Sequence, residues 1–245
     1  MAADSETAVA EQETGYFEES RSLAFSVLSI LPLVVLYHCG IVQADHPVRN
    51  LTEVWLEGPL GLVGLRAAHV LNVAVVLALV AVLWRAEKHE TPGLMVVVLM
   101  IAEGIFYAMV LHRGSLLLAD AVYEEAGRIF FFIGVESPAE LMLALGAGVY
   151  EELVFRLLLV GGGTLLLREV FAWPEWLGLA VSLLVSSLLF SLVHHAGPMG
   201  EDFQAYTFLF RALCGALLGL IFIARGFGVA VWTHAVYNAL VLVGH

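Results

Sequence analysis

Apolar stretches of about twenty residues recur along almost the whole chain. A helix needs about 20 consecutive apolar residues to cross the hydrocarbon core of a bilayer. Hydrophobic residues make up 60% of the chain and its mean hydropathy is +0.90, whereas soluble globular proteins contain about 45–50% apolar residues. We therefore predict an all-α, polytopic transmembrane helical bundle with about seven spans, at 22–41, 63–84, 93–112, 141–167, 176–195, 205–224 and 227–243.

The region 113–140 decides between seven and eight spans. Four charged residues interrupt it, whereas 129–133 is strongly apolar and aromatic. This pattern favours an interfacial or partly inserted amphipathic helix, and full insertion would raise the number of spans to eight. At its end, Ser137 and Pro138 resemble a helix start, with the serine as N-cap and the proline in the first turn.

The acidity of the chain is concentrated at its N-terminus. The formal net charge is −12, and the first twenty residues hold no base but six acids, namely Asp4, Glu6, Glu11, Glu13, Glu18 and Glu19. This segment lacks the positive start and short apolar core of a signal peptide. We expect 1–21 to be a disordered, solvated tail and 22–245 to be a single transmembrane domain. No basic patch indicates a nucleic-acid partner.

Two adjacent acids and an arginine lie inside the fourth apolar segment. Glu151, Glu152 and Arg156 occupy positions where a charged side chain costs about 2.5–3.5 kcal/mol at the bilayer centre. Glu152 and Arg156 are four residues apart, on one helix face and in the order that favours an ion pair. The side chain of Glu151 points about 100° around the helix axis from that of Glu152. A purely structural buried pair would explain Glu152 and Arg156 but not Glu151, and an unpartnered intramembrane acid indicates a functional site.

Two later segments carry polar residues on one helix face. Phe190 and His194 are four residues apart near the end of the fifth segment, and His234 and Asn238 have the same spacing in the seventh. Taken singly, each histidine is more often a hydrogen-bonded structural residue than a catalytic one. Three helices that offer acid, imidazole and amide groups at overlapping depth nevertheless indicate a common site.

These residue types suit hydrolysis of an acyl bond by water. A carboxylate in a low-dielectric pocket acts more readily as a general base, histidine transfers protons, and imidazole or amide N–H groups stabilise an oxyanion, where one lost donor costs about 2.7–4 kcal/mol. The serines of the fifth segment favour helix packing over nucleophilic catalysis. Cys39 and Cys214 lie far apart, a spacing that indicates neither a zinc site nor a redox pair.

The order Glu-Glu-x-x-x-Arg, Phe-x-x-x-His and His-x-x-x-Asn, each within an apolar segment, resembles the CPBP family of CAAX proteases and bacteriocin-processing intramembrane endopeptidases, also called the Abi family. The similarity covers 139–242, which would be the catalytic core. It implies that Glu151 and His194 activate water and that His234 and Asn238 form the oxyanion hole. It also implies a supporting role in the site for Glu152, Arg156 and Phe190.

The resemblance leaves the class of protease open. A zinc enzyme would use His194, His234 and Glu151 as ligands, a sufficient number for a catalytic site. The sequence has no His-Glu-x-x-His helix, and we expect a glutamic-type enzyme without a cofactor. The expected substrate is a membrane-associated protein or peptide, cleaved near its C-terminus or membrane-embedded end: a prenylated CAAX tail, a bacteriocin or a sorting signal.

Two other functions fit the same sequence. The chain could be a non-proteolytic membrane scaffold or bacteriocin-immunity protein, or a small transporter in which Glu103, Glu151 and the histidines relay protons. Neither paired broken helices nor repeated halves support transport. The composition, rich in Ala, Val, Leu and Gly, favours a bacterial source and hence the inner (plasma) membrane. With seven spans, His194 lies opposite the N-terminus, and we expect the site to open on that side.

Overall fold

The fold of the described residues is entirely helical. The computed structural model describes 15–43, 93–122, 137–197 and 200–243, with the positions 60–64, 66, 70, 73, 77, 80 and 81 between them. The elements are α1 (Tyr16–Glu19), α2 (Leu23–Gln43), α3 (Leu94–Val122), α4 (Pro138–Glu152), the π-helix π1 (Leu153–Gly162), α5 (Gly163–Phe171), α6 (Glu175–Val193), α7 (Ala205–Arg225) and α8 (Phe227–Val243).

Four of the described helices are long and apolar enough to cross a membrane: Leu23–Gln43, Leu94–Ser115, Glu175–Val193 and Ala205–Arg225. The expectation of seven or eight spans therefore exceeds what the described residues support. The fourth expected span is not among these four helices. Its residues are divided between α4, which has 15 residues and ends in two acids, the π-helix and α5. The seventh expected span corresponds to α8, an apolar helix of 17 residues that is shorter than the four helices named above. The second segment, 63–84, lies almost entirely outside the described residues.

Helix α3 is longer than the sequence predicts. It continues past the expected end at His112 to Val122, so part of the region 113–140 extends a long helix. Residues 123–136, where an interfacial helix was expected, lie outside the described part of the chain. Many large apolar side chains on α3 are exposed, including Leu94, Met95 and Phe106. Their exposure is that of a helix surface facing lipid.

The start of α4 confirms the predicted cap. Ser137 has an extended backbone, its side chain accepts a hydrogen bond from the Glu140 amide at 3.4 Å, and Pro138 occupies the first turn. The cap satisfies one of the backbone amides that a helix start leaves unpaired. It thus fixes the beginning of the helix that carries the two adjacent glutamates.

Helices α6 and α7 pack closely through Gly215 and Gly219, two residues of α7 whose four-residue spacing is the small-xxx-small pattern that favours close helix contact. A Cβ atom on Gly215 would lie 3.2 Å from the Phe190 ring and 3.3 Å from the Ser187 Cα atom. One on Gly219 would overlap the side chain of Leu183. These pairings run in opposite sequence directions, so the two helices are antiparallel, and the absence of side chains on the glycines lets their backbones approach.

Helix α8 is central in the bundle. Eight of its first nine residues form an almost continuous buried run that includes Phe227, Val231 and Ala235. It packs beside α2 and α4, whose Tyr37 and Tyr150 rings are 4.9 Å apart. Because α8 contacts these helices along its length, the polar residues in its second half face the interior of the protein.

The N-terminal side of the fold is fixed by an ion-pair cluster. Arg225, at the end of α7, binds Glu103 of α3 through Nε at 2.5 Å and also donates to Ser20 at 3.1 Å. Tyr16 donates to the same Glu103 at 2.6 Å. The described end of the expected tail, 15–21, thus contains the short helix α1, packed against the end of the bundle opposite the α6–α7 connection.

Candidate active site

The two adjacent glutamates lie at the end of α4, where the helix changes to π geometry. Glu152 forms an ion pair with Arg156 at 3.1 Å, and both side chains are fully buried. Arg156 also donates to the Gly215 carbonyl oxygen at 3.0 Å. The pair therefore links α4 and π1 to α7. π-Helical segments are rare and are often found at functional sites.

His234 of α8 joins both glutamates. Its Nδ1 atom lies 2.7 Å from Oε1 of Glu152, and its Nε2 atom lies 3.5 Å from Oε2 of Glu151. The ring is 3% exposed, so it faces the protein interior and not lipid. The contact with the Glu152 carboxylate assigns a proton to Nδ1, and Nε2 then donates only when the ring carries both protons.

His194 lies immediately after the last residue of α6. Its Nδ1 atom is 2.7 Å from the Phe190 carbonyl oxygen. This contact assigns the Nδ1 proton to a bond with the backbone and leaves Nε2 for proton transfer. Burial lowers the pKa of His194, and the charge of Arg211 acts in the same direction, although Glu151 opposes it. The neutral imidazole is the form that can accept a proton.

Asn238 lies one turn of α8 beyond His234. Its Nδ2 atom donates to the Ala144 carbonyl oxygen of α4 at 3.3 Å. A side-chain amide has two N–H groups, so one remains for a further acceptor. The bond to α4 fixes the orientation of the amide.

Phe190 contacts three of the polar side chains. Its ring lies edge-on to His194 at 4.9 Å and to His234 at 5.7 Å between centroids. The Arg156 guanidinium lies over the same ring at 4.6 Å from its centroid. An aromatic face attracts a cation. Phe190 therefore restricts the positions of both histidines and of the arginine.

A cavity of about 500 Å³ brings these groups together. Of the residues predicted for the site, Glu151, His194, His234, Asn238 and Phe190 line it. Glu152 and Arg156 are not among its lining residues but lie behind them. The separation agrees with the helix-geometry argument that the two glutamates point in different directions.

Polar and apolar residues line different parts of the cavity. One end of the cavity is lined by polar residues of the α6–α7 connection and the start of α7, namely Glu201, Asp202, Gln204, Thr207 and Arg211, and the remainder by apolar residues that include Leu218, Val241 and Leu242. Arg21 donates to the Ile223 carbonyl oxygen near the other end of α7.

The zinc alternative would use His194, His234 and Glu151 as ligands of one ion. Within the described ranges, no three His, Cys, Asp or Glu side chains are grouped as ligands of one metal ion. His234 uses one ring nitrogen for Glu152 and directs the other to Glu151.

Residues 136–240 match the model of a protein family described as type II CAAX prenyl endopeptidase Rce1-like. Over this segment, the chain is similar to that family. The match confirms the resemblance to the CAAX proteases and contains every residue predicted for the site. The similarity to this family, together with the apolar helices, supports a CAAX-type protease embedded in a membrane. No curated protein and no solved structure matches the chain.

The sequence patterns missed some of the residues that line the cavity. Arg211, Glu201 and Tyr237 line it without belonging to any of the three motifs. The sequence could have indicated Arg211 as a site residue, because it is a charged residue in the largely apolar first half of a spanning helix. The sequence gave no such indication for Glu201, since acids are common in polar connections between helices.

Proposed function

We propose that this protein is an intramembrane endopeptidase that hydrolyses a peptide bond near the C-terminus or membrane-embedded end of a membrane-associated protein or peptide. The observation that carries the proposal is the position of Glu151, whose buried carboxylate lines a cavity together with His194, His234 and Asn238. Such a cavity holds the acid, base and hydrogen-bond donors that amide hydrolysis needs.

In the proposed reaction, Glu151 and His194 activate one water molecule. The water oxygen attacks the carbonyl carbon while its proton passes to Glu151 or to the neutral His194 ring. When the tetrahedral intermediate collapses, the C–N bond breaks and the same proton passes to the leaving amine. Atoms and charge balance without a further reactant. The bond from His194 Nδ1 to the Phe190 carbonyl supports this role, because it orients the ring and leaves Nε2 for the proton.

The proposed oxyanion hole consists of Asn238 and His234. Asn238 offers its second N–H group, and His234 offers Nε2 when its ring carries both protons. The supporting contacts are Asn238 to the Ala144 carbonyl and His234 to Glu152. Glu152 and Arg156 would act as positioning residues, because they reach the cavity only through His234 and Phe190. Preorganised donors of this kind stabilise the developing charge in the transition state.

The proposed substrate reaches the site from the membrane. The apolar part of the cavity, with Leu218, Val241 and Leu242, suits a hydrophobic substrate segment, and the polar end gives water access. We propose a glutamic-type reaction without a metal cofactor, in the plasma membrane of a bacterium. Activity that survives prolonged treatment with a strong zinc chelator would support this mechanism, and loss restored only by zinc would overturn it.

The decisive experiment compares Glu151→Gln with a matched change outside the cavity. Glu169→Gln is the control, because Glu169 is an exposed acid on α5 that pairs with Arg168. With purified protein and a C-terminal reporter peptide, we expect cleavage by the parent and by Glu169→Gln but none by Glu151→Gln. Undiminished cleavage by Glu151→Gln would reject the assignment. A parent protein that cleaves no membrane peptide would favour the scaffold or immunity function instead.

A further inference from the structure

An ion pair outside the cavity joins α3 to the end of α7. Arg225 donates through Nε and Nη2 to the two carboxylate oxygens of Glu103, at 2.5 and 2.8 Å. Tyr16 donates to Oε2 of the same carboxylate, and Ser20 accepts from Nη2 of Arg225. Both oxygens of Glu103 are thus occupied, which favours a fixed anchor over the proton relay that a transporter would need. None of these four residues is among the described residues that line the cavity.

The pair lies next to the start of the helix that carries two of the proposed site residues. Helix α7 ends at Arg225 and α8 begins at Phe227, so a single residue, Gly226, separates the arginine from α8. Its φ of +88° is a conformation that favours glycine. His234 lies seven residues beyond Phe227, about 10 Å at the helical rise. Because a short helix is stiff along its axis, a shift at this turn moves the histidine as well.

Helix α3 also contacts α8 immediately before His234. A Cβ atom on Gly104 would overlap the side chain of Trp232 and would lie 3.2 Å from the Thr233 backbone nitrogen. Gly104 directly follows Glu103 in the sequence. One turn of α3 therefore holds the α7–α8 connection through its acid and approaches the second turn of α8 through its glycine.

Packing alone leaves the depth of α8 weakly defined. Because lipid chains are as apolar as the helix surfaces, the hydrophobic effect does not drive helices together inside a bilayer. Apolar faces also keep most of their contacts when one helix slides along another. A buried polar pair can fix the register, since only one register satisfies both partners. The side chains of Arg225 and Glu103 are 8% and 18% exposed, respectively, so this pair can set the depth of α8 against α3.

We propose that Glu103 and Arg225, together with Tyr16, are positioning residues of the active site and hold α8 at the depth at which His234 meets the two adjacent glutamates. This assignment rests on the proposed endopeptidase function. Glu103 and Tyr16 precede 136–240, so the support of the site extends beyond the segment that matches the family model. Because the pair touches neither the substrate nor the reacting atoms, its loss slows the chemical step without weakening substrate binding.

The test measures kcat and KM for the reporter peptide with Glu103→Gln, Arg225→Gln and the double variant. Each assay is run well below the midpoint of thermal unfolding of that variant, so that the protein is folded. We expect each single change to lower kcat by about tenfold or more, since a misplacement of 1 Å can cost about 100-fold, and to leave KM within about twofold of the parent value. The double variant should lose no more than the stronger single change, because residues that act as a unit are not additive.

The matched controls are Glu169→Gln and Arg168→Gln, which remove the members of an exposed ion pair outside the cavity and should keep the parent values. Parental kcat in folded Glu103→Gln would overturn the positioning role, as would a change confined to KM or losses that add in the double variant.

Tyr16→Phe decides if neither single variant of the ion pair folds, because it removes one hydroxyl group and leaves the pair in place. A lower kcat of the folded Tyr16→Phe protein would support the positioning role, and a parental kcat would overturn it. A parent protein that cleaves no peptide would instead reject the endopeptidase function, and the positioning role with it.

Discussion

The Nδ1 atom of His234 lies 2.7 Å from Oε1 of Glu152, the same carboxylate oxygen that pairs with Arg156 at 3.1 Å. One buried oxygen thus connects α8 to the end of α4 and to the first turns of the π-helix. The contact divides the two adjacent glutamates by environment: Glu152 is enclosed by a histidine and an arginine, whereas Glu151 lines the cavity. This division leads to the first prediction.

Glu152→Gln should destabilise the protein because it leaves the fully buried Arg156 guanidinium without its anionic partner. Removal of one member of a buried pair costs about 3–5 kcal/mol. We expect a clear fall in the midpoint of thermal unfolding in detergent. The double variant Glu152→Gln/Arg156→Met should lose less than the sum of the two single changes. An unchanged midpoint for Glu152→Gln would show that this pair does not hold the helices together.

The activity of the protein should decline on the acid side at a pH below the ordinary pKa of histidine, about 6.5. Burial lowers the pKa of His194, so the neutral ring that accepts the proton persists to lower pH, and activity falls only when the ring is protonated. The measurement is the pH profile of kcat/KM for the reporter peptide. His38→Gln, on α2, should leave the profile unchanged. An acid midpoint above the ordinary value would contradict the buried environment.

Gly148→Ala should reduce activity by moving α4 and α8 apart. The added Cβ atom would lie 3.0 Å from the Ala235 backbone nitrogen and 3.2 Å from its Cα atom. Backbone atoms cannot rotate away, and His234 is the adjacent residue, so its contacts with the two glutamates lengthen. A misplacement of 1 Å can cost about 100-fold in rate. Gly162→Ala is the control, since its nearest neighbour would be Leu158 at 3.8 Å. Equal activity of both variants would refute the close approach.

Cysteine labelling should find the two ends of α6 on opposite sides of the membrane. Glu175 precedes the helix interior at one end, beside the exposed Trp176, and Asp202 follows the other end at the polar rim of the cavity. In a background without Cys39 and Cys214, an impermeant thiol reagent should modify Glu175→Cys and Asp202→Cys from opposite faces of sealed vesicles. Labelling of both positions from the same face would contradict a spanning α6.

Much of the local structure could be read from the sequence. The bounds of α8 were predicted at Phe227–Val243, the cap at Ser137 was predicted from its serine and proline, and Gly215 and Gly219 marked the close contact of two helices. These features depend on residues within a few turns of one another, where hydrophobic pattern, caps and small side chains act directly. Four of the seven expected spans are helices that are long and apolar enough to cross a membrane among the described residues; the second expected span, 63–84, lies almost entirely outside them.

The sequence alone determined that Glu151, Glu152, His194, His234 and Asn238 are polar groups in apolar helices, and that Glu152 can reach Arg156. Only the tertiary structure decided that His234 contacts both acids, that Glu151 lines the cavity, and that Arg211 lies in the same cavity bound to Glu201. The physical reason is that helix periodicity fixes a direction within one helix. Which side chains meet across helices depends on the depth and rotation of each helix, and these are set by packing along its whole length.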